Sequence, residues 1–406
     1  MIVHTVESGD TVFKIARKYA VSPMKVIENN GLYDPDRLSV GEQLLILTPT
    51  KTYTVRGGDT LTKIAKRFDV RKSELYRNNP QLGGTDTLYA GQLLAVRYDT
   101  PPGGAAAVNG YVYPGCDAER LRAVLPYLTY VTFSGLKVDG GNLRPIADFT
   151  DLCRMAKTAG KSALLRITGI GEDPEFAKDR AKWGAVIEKV AAFAKEKGYD
   201  GITLASYRMA KETPEEYDLF LLEAKKRLLG CDLILFTEAD ANEKLSGSDL
   251  SDGVILMYEK CTLNPPPSFD DGEKRVFTAY ADAFESSKAF LDISAFGYDE
   301  DKPLLHDEIS KIAYKCKAEI KTDPNSLISS FTYRRFEGGK RQDRLVRFES
   351  LEAIRKKLSL VSDLCYNGVS VDVARVPVAV LMMLHAAFSG VDYVFGYVGT
   401  KEAQDA

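Results

Sequence analysis

Carboxylate side chains follow three strand-like segments in the second half of the chain. Glu238 and Asp240 end one such segment, Glu259 follows the next, and Asp372 ends the last. Two carboxyl groups that meet at one edge of a sheet can act as general acid and general base, whereas carboxylates in solvated loops do no chemistry. Both interpretations stay open from the sequence, and solvated loop carboxylates are the commoner case.

Tyrosines stand close to the same segments. They are Tyr111, Tyr207, Tyr258 and Tyr298. Four rings at strand ends predict either an aromatic pocket that holds a ligand by stacking or ordinary packing in the core and at the rim. Neither interpretation is favoured by the sequence alone.

Histidines and cysteines are too few and too scattered to predict a metal centre. The three histidines are His4, His306 and His385, and no pair of the six cysteines has the spacing of a metal or redox site. Metal centres need several such ligands at short spacings. We therefore expect reduced, mostly buried thiols, no metal and no cofactor.

The charge and length of the chain exclude several classes of protein. Its 406 residues carry 54 Lys and Arg against 57 Asp and Glu, whereas nucleic-acid-binding proteins have a basic excess. The longest apolar run, residues 376–388, is shorter than the ~18 residues of a membrane span. The N-terminus shows no signal peptide pattern. We expect a chain made in the cytoplasm, with no nucleic-acid partner and no membrane span.

The first hundred residues contain one module twice. Residues 3–47 align with residues 53–97. Identical pairs include Gly9 with Gly58, Asp10 with Asp59, Thr11 with Thr60, Ile15 with Ile64, and Asn30 with Asn79. Each copy has the pattern of a short strand, a turn with a helix cap, two short helices and a closing strand. The repeat predicts two βααβ domains, at 1–49 and 50–98.

This module closely resembles the LysM domain, which binds N-acetylglucosamine polymers such as peptidoglycan and chitin. The resemblance implies a shallow glycan groove between the loop before the first helix and the loop after the second helix. The implied groove residues are Gly9, Asp10, Thr11, Val12, Asn30, Gly31 and Leu32 in the first copy, and Gly58, Asp59, Thr60, Leu61, Asn79, Pro80 and Gln81 in the second. A purely structural interpretation competes, because Gly-Asp-Thr also serves as a turn and a cap.

A Pro/Gly/Ala-rich segment, residues 99–107, separates these modules from a larger domain, 108–406. Such a composition is typical of a linker. Beyond it, eight strand-like runs alternate with amphipathic helices, which predicts an α/β fold of the (β/α)₈ TIM barrel type. An open doubly wound sheet is the alternative from periodicity alone. No glycine-rich phosphate loop follows any run, which argues against nucleotide binding.

Residues 109–113, 125–131, 198–202 and 295–299 resemble segments of family 18 glycoside hydrolases. The closest resemblance is to the spore cortex-lytic N-acetylglucosaminidases, which carry two LysM domains before the barrel. A hairpin between residues 330 and 348 matches the small α+β insertion of that family. The resemblance implies an insertion at about residues 299–349 of the barrel.

The catalytic motif of that family is altered in this sequence. Family members carry Asp-Gly-x-Asp/Asn-x-Asp-x-Glu on the fourth strand, where the Glu protonates the glycosidic oxygen and the adjacent Asp orients the acetamide of the substrate. This chain has Asp200-Gly201-Ile202-Thr203-Leu204-Ala205-Ser206-Tyr207. Strand alternation predicts Thr203, Ala205 and Tyr207 on the inner face. The resemblance thus implies that Ala205 and Tyr207 replace the Asp and the Glu, and that no catalytic residue remains.

These features predict a non-catalytic protein that binds a peptidoglycan or chitin-like glycan in a spore envelope or cell wall. One alternative is an active peptidoglycan N-acetylglucosaminidase with displaced acids, for which Glu259 and Asp372 are the candidates. A third hypothesis makes the barrel an interaction module for a spore-coat or wall protein. By resemblance, the mother cell would deposit the protein on the spore cortex or coat from its cytoplasm.

Overall fold

The computed structural model describes residues 1–99, 103–241, 250–258, 265–293, 297–300, 302–337 and 340–388. Two small modules at the N-terminus pack against one large barrel, and an additional sheet is inserted late in the barrel. Among the residues described, no helix combines the length and the hydrophobicity that a membrane span requires.

Each N-terminal module is a two-stranded antiparallel sheet covered by two helices. The first contains β1 (Ile2–Thr5), α1 (Val12–Lys18), α2 (Pro23–Asn30) and β2 (Gln43–Ile46), and the second contains β3 (Lys51–Thr54), α3 (Leu61–Phe68), α4 (Lys72–Asn78) and β4 (Leu93–Arg97). A threonine begins the first helix of each copy, because the Oγ1 atoms of Thr11 and Thr60 accept the N–H of Lys14 and Lys63 at 3.2 Å. The predicted βααβ order is confirmed in both copies.

The first seven parallel barrel strands are interspersed with seven helices in the described part of the chain. The strands are β5 (Ala107–Val112), β6 (Tyr130–Asp139), β8 (Ser162–Thr168), β9 (Gly201–Leu204), β10 (Ile234–Asp240), β11 (Gly253–Met257) and β12 (Ala289–Asp292), and β7 (Asn142–Pro145) forms a hairpin with β6. The helices are α5 (Ala118–Val124), α6 (Thr150–Thr158), α7 (Pro174–Lys178), α8 (Arg180–Glu196), α9 (Tyr207–Glu212), α10 (Pro214–Leu229) and α11 (Arg275–Ala283).

An antiparallel sheet with one helix interrupts the barrel after β12. It contains β13 (Gly297–Asp299), β14 (Lys302–Leu304), α12 (His306–Cys316), β15 (Lys321–Thr322), β16 (Ile328–Glu337) and β17 (Lys340–Glu349). The strand order is β14-β13-β17-β16-β15. This unit is the α+β insertion that the sequence predicted, and its first strand begins two residues before the expected boundary.

The chain then returns to close the barrel with α13 (Leu351–Asp363), β18 (Gly368–Asp372) and α14 (Val378–Ala387). Strand β5 pairs in parallel with both β18 and β6. A sheet whose first strand has a partner on each side has no open edge there, so the (β/α)₈ barrel is confirmed and the open doubly wound sheet is wrong.

Side chains alternate between the inside of the barrel and the layer under the helices. Tyr130, Leu164, Phe236 and Phe290 meet in one buried cluster inside the barrel. Their neighbours along the strands, such as Leu165, pack in the larger core between strands and helices. This alternation follows from the two-residue period of a strand, and it fixes which residues can reach the mouth of the barrel.

Candidate functional site

An ion pair with a buried carboxylate lies at the mouth of the barrel. Arg166 near the end of β8 donates two hydrogen bonds to Glu238 on β10, from Nε to Oε1 at 2.5 Å and from Nη2 to Oε2 at 2.7 Å. The side chain of Glu238 is 0% exposed and that of Arg166 is 14% exposed. The Tyr111 hydroxyl donates a third hydrogen bond to Oε1 of Glu238, at 2.7 Å. These bonds occupy both oxygens of the carboxylate.

Two tyrosine rings complete this group, which we call the mouth cluster: Tyr111, Tyr113, Arg166 and Glu238. The rings of Tyr111 and Tyr113 stack with centroids 5.9 Å apart. The Arg166 guanidinium lies 5.8 Å and 6.0 Å from their centroids, within the range of a cation–π contact. The aromatic faces are therefore covered by the protein's own cation.

The charges in the mouth cluster stabilise one another. Burial alone would lower the pKa of Arg166, but its hydrogen bonds to Glu238 and the charge of that carboxylate outweigh burial and raise the pKa. Burial raises the pKa of the Tyr113 phenol. The bidentate geometry strengthens the pairing of Arg166 with Glu238.

Two further carboxylates line the same end of the barrel. Asp372 on β18 is the register partner of Tyr111 on β5, and Asp292 ends β12 with 7% of its surface exposed. Burial raises the pKa of Asp372, although Arg375 and two backbone amides partly offset this effect. Oδ1 of Asp372 accepts the Ala374 N–H at 2.9 Å. Asp372 is thus a half-buried carboxyl group at the end of β18.

In the segment from Asp200 to Tyr207, Asp200 is the one acidic residue. Asp200 stands before β9, where its two oxygens accept the Lys157 ammonium at 2.7 Å and the Ala163 N–H at 2.9 Å. Thr203 is fully buried, and its hydroxyl makes no hydrogen bond with the described residues. Asp200 therefore ties β9 to the neighbouring strand and helix.

One part of the motif prediction is wrong. Alternation predicted Thr203, Ala205 and Tyr207 along one strand face, but β9 ends at Leu204 and Tyr207 begins α9. The strand period therefore does not extend to Tyr207, and its side chain lies outside the described part of the structure. Ala205 follows the strand and is buried.

The other predicted pocket residues lie on three different elements or loops of the described structure. Tyr258 packs edge-on against Phe277 of α11, with ring centroids 5.6 Å apart, in the core outside the barrel wall. Tyr298 belongs to β13 of the inserted sheet. Asp240 ends β10 and is half-buried. The prediction for Glu259 lies outside the described residues.

Sequence reasoning missed Arg166 and Tyr113. The segment Ser162–Thr168 is apolar except for its ends and Arg166. A charged residue inside an otherwise apolar strand needs a buried partner, and this signal would have identified Arg166. Its partner could not be identified, because Glu238 is 72 residues away in sequence.

The polar groove residues of the N-terminal modules serve the fold of each module. Oδ2 of Asp10 accepts the Glu7 N–H and a His4 ring nitrogen, both at 3.0 Å. Oδ2 of Asp59 accepts the Tyr53 hydroxyl at 2.7 Å and the Arg56 N–H at 2.8 Å. These carboxylates are turn anchors, and hydrogen bonds within the module already occupy one oxygen of each.

The asparagines after the second helices act as clamps on the closing strands. Asn30 donates to the carbonyls of Val26 and Leu45 and accepts the Leu45 N–H, at 2.7–2.8 Å. Asn79 makes the corresponding three bonds to Leu75 and Ala95. The structural interpretation of these positions therefore holds whether or not a sugar binds.

Some of the remaining groove residues are buried in their modules, and others are exposed to solvent. Val12 and Leu61 are each 1% exposed and belong to the cores of their modules. Gly9 and Gly58 are exposed, with φ of +85° and +81° and open space around them. Other predicted residues that keep some exposed surface are Gly31, Leu32, Pro80 and Gln81. Backbone groups at these glycines and in the second loop are the parts of each groove that a sugar could reach.

Comparisons with known proteins agree with this architecture. The LysM domain model matches residues 4–47 and 53–97, so both modules are LysM domains. The chain is 26% identical over 409 residues to the cortical fragment-lytic enzymes of Bacillus anthracis and Bacillus cereus, with 90% of this chain and 93% of each relative covered. The chain is therefore homologous to these enzymes along most of its length.

Solved structures show the same fold. The Bacillus cereus spore cortex-lytic enzyme SleL has a TM-score of 0.73 at 22% identity, covering 96% of this chain and 98% of that one. A chitinase from Chromobacterium violaceum has a TM-score of 0.61 at 16% identity, covering 70% of this chain and 99% of the chitinase. The large domain thus has the fold of family 18 chitinases.

Proposed function

We propose that this homologue of the cortical fragment-lytic enzymes is a wall-glycan-binding protein whose barrel does not cleave the glycan. The single observation that carries the proposal is the motif after β9, where Ala205 and Tyr207 stand in place of the acetamide-orienting Asp and the proton-donating Glu. The LysM domains supply the glycan binding, and the barrel retains the fold without the acids.

The chemistry of the substituted residues supports inactivity. Substrate-assisted hydrolysis needs a carboxylic acid to protonate the leaving oxygen and a carboxylate to steer the acetamide. Alanine has no titratable group, and an ordinary phenol has a pKa of about 10. Loss of a general acid costs about 10²–10⁴ in rate, and residues that act as a unit fail together.

Glu238 is a poor substitute for the missing acid. Three hydrogen bonds from Arg166 and Tyr111 hold both oxygens of Glu238 within the protein. Its carboxyl group is therefore used in a contact between strands. Of the described carboxyl groups at the mouth, Asp372 is the one that favours the alternative of displaced acids, because burial raises its pKa.

The proposed location is the spore cortex or coat. The relatives named above are cortical fragment-lytic enzymes, and two LysM domains provide an attachment to wall glycan. Two weak glycan sites on one chain would raise the apparent affinity for a polymer that presents many copies of the same unit.

The test is a paired assay of binding and hydrolysis. The full chain is mixed with insoluble spore cortex or vegetative peptidoglycan, and protein in the pellet and reducing ends in the supernatant are both measured. We expect the protein in the pellet and reducing ends at the level of a blank without protein. Glycan turnover that disappears in Asp372→Asn or Glu259→Gln would contradict the inactive barrel. Protein that stays in the supernatant would contradict glycan binding.

A further inference from the structure

A large cleft lies between the first LysM domain, the inserted α+β unit and the barrel. Its volume is about 1390 Å³. One wall is formed by Ser8 and the loop after α2 of the first LysM domain. Helix α12 forms the second wall, and the segment that enters α14 forms the third. Pockets for drug-sized molecules measure about 300–1,000 Å³, so this cleft has room for a longer ligand.

Two of the walls, the first LysM domain and the inserted unit, are held together by specific contacts. The Ser310 hydroxyl of α12 donates to Glu42 at 3.0 Å, and the Ile320 N–H donates to the Val40 carbonyl at 2.9 Å. Gly41 lies so close to Ile320 that an added Cβ would stand 1.8 Å from its carbonyl oxygen. The cleft is therefore a fixed part of the fold.

The cleft continues the groove of the first LysM domain. Asn30, Gly31 and Leu32 are groove residues by LysM resemblance, and all three also line the cleft. In the second module the corresponding Asn79 is fully buried, and its Oδ1 accepts the Lys25 ammonium of the first module at 2.9 Å. Of the two grooves, the first is the one whose second loop opens into this cleft.

Exposed aromatic rings and an excess of cations lie along the cleft. Tyr33 is 93% exposed and Tyr314 is 41% exposed, and rings of this kind stack on the apolar faces of sugars. Six Lys and Arg side chains line the cleft against four Asp and Glu, although the whole chain has a net charge of −3. Arg37 and Lys311 pair with Asp34 and Asp307 of the same lining, so the exposed Lys315 and Lys317 carry the positive charge that favours an anionic ligand.

We propose that this cleft binds a carboxylate-bearing glycan strand, of the alternating N-acetylglucosamine and N-acetylmuramic acid type, that extends from the groove of the first LysM domain. The inference rests on the proposed glycan binding by that domain and adds the class of glycan and its path. Tyr33, which is 93% exposed, supplies a sugar-stacking face, and Lys315 supplies positive charge at the rim. A neutral N-acetylglucosamine polymer uses the LysM groove without the charge contribution.

The test measures binding of two soluble hexasaccharides to the full chain by calorimetry: an alternating N-acetylglucosamine and N-acetylmuramic acid oligomer, and chitohexaose. Tyr33→Ala is expected to weaken binding of the muramic acid oligomer about threefold to tenfold, the range of one aromatic contact. Its matched control is Tyr89→Ala, because Tyr89 is 70% exposed and lies outside the cleft lining. The control should bind like the parent chain.

A charge-reversal variant distinguishes the contribution of the ligand's carboxylates to binding from that of its sugar rings. Lys315→Glu is expected to weaken binding of the muramic acid oligomer, most strongly at low salt, and to leave chitohexaose binding unchanged. Lys66→Glu, at an exposed position of the second LysM domain, is the matched control. If the parent chain binds both oligomers and the cleft variants behave like their controls, the cleft proposal is overturned and glycan binding by LysM stands. If the parent chain binds neither oligomer, both proposals fail.

Discussion

The residues at the mouth of the barrel form a structural network where a hydrolase would hold its substrate. A buried guanidinium and a buried carboxylate each carry a desolvation penalty, and close bidentate geometry offsets it. Asn109 continues the polar layer below, since it donates to Ser370 at 3.0 Å and accepts from Thr132 at 2.7 Å. Polar groups inside this barrel are therefore used to hold strands together.

At the residue scale, we predict that Glu238→Gln strongly destabilises the protein. The substitution leaves Arg166 as a buried charge without its counter-ion, and breaking a buried pair costs about 3–5 kcal/mol. The matched control is Glu172→Gln, because Glu172 pairs with Lys137 at 2.8 Å with 55% of its side chain exposed, and exposed pairs contribute about 0–1 kcal/mol. Urea unfolding measures both. Equal losses would show that the buried pair is not maintained in solution.

At the scale of elements, the same turn of the two LysM domains has different surroundings in the folded chain. Gly41 and Gly91 occupy the same turn before the closing strand, with φ of +83° and +87°. Both need glycine for that conformation. The surroundings differ, since nothing lies within 4 Å of a Cβ at Gly91, whereas one at Gly41 would overlap the Ile320 carbonyl.

We therefore predict that Gly41→Ala is more destabilising than Gly91→Ala. Both variants carry the left-handed strain of about 1–2 kcal/mol, and Gly41→Ala adds an overpacking cost of about 1–3 kcal/mol at the contact with the insertion. The free energy of unfolding gives the difference, and limited proteolysis should cut the Gly41 variant faster between the first module and the rest. Identical behaviour of the two variants would mean that the first LysM domain is not docked on the insertion.

At the scale of the whole molecule, the modules and the barrel form one packed body. The Tyr127 hydroxyl donates to the Arg77 carbonyl at 2.9 Å, and the His385 ring lies 2.6 Å from Asn78 Oδ1 across the same interface. Leu45 and Leu47 of the first module join the barrel's main hydrophobic core. The glycan grooves are thus held in a fixed relation to the barrel.

This interface predicts a loss of stability in mild acid. Burial, assisted by the positive charge of Arg77, lowers the pKa of His385 to about 3. The unfolded chain protonates this ring near its ordinary pKa of about 6.5, so between these values the unfolded state binds one more proton and stability falls as pH falls. From pH 7 to pH 5 the expected loss is about 2 kcal/mol.

The matching experiment compares His385→Gln with the parent chain in urea at pH 7 and at pH 5. Other titrating groups act in both proteins, so the difference between the two pH responses reports His385. We expect the variant to lose about 2 kcal/mol less than the parent over this range. A parent and a variant with the same pH response would exclude a buried neutral histidine at the interface.

Much of the fold could be predicted from local patterns. The duplicated strand–cap–helix signals gave both LysM domains because caps, turns and apolar stripes act over a few residues. The alternation of strands and helices gave the barrel, and the absence of the motif acids could be seen directly at Ala205 and Tyr207. These features depend on residue type and short spacing.

The site itself depended on contacts that no short spacing encodes. Barrel closure brings Arg166 to Glu238, and Tyr258 packs against Phe277 of α11. Docking places the groove of one LysM domain at a cleft and buries Asn79 of the other. Sequence by itself determined the two N-terminal modules, because caps, turns and apolar stripes act over a few residues. Tertiary structure alone decided which charges meet and which groove opens into the cleft, because those groups are brought together only when the whole chain packs.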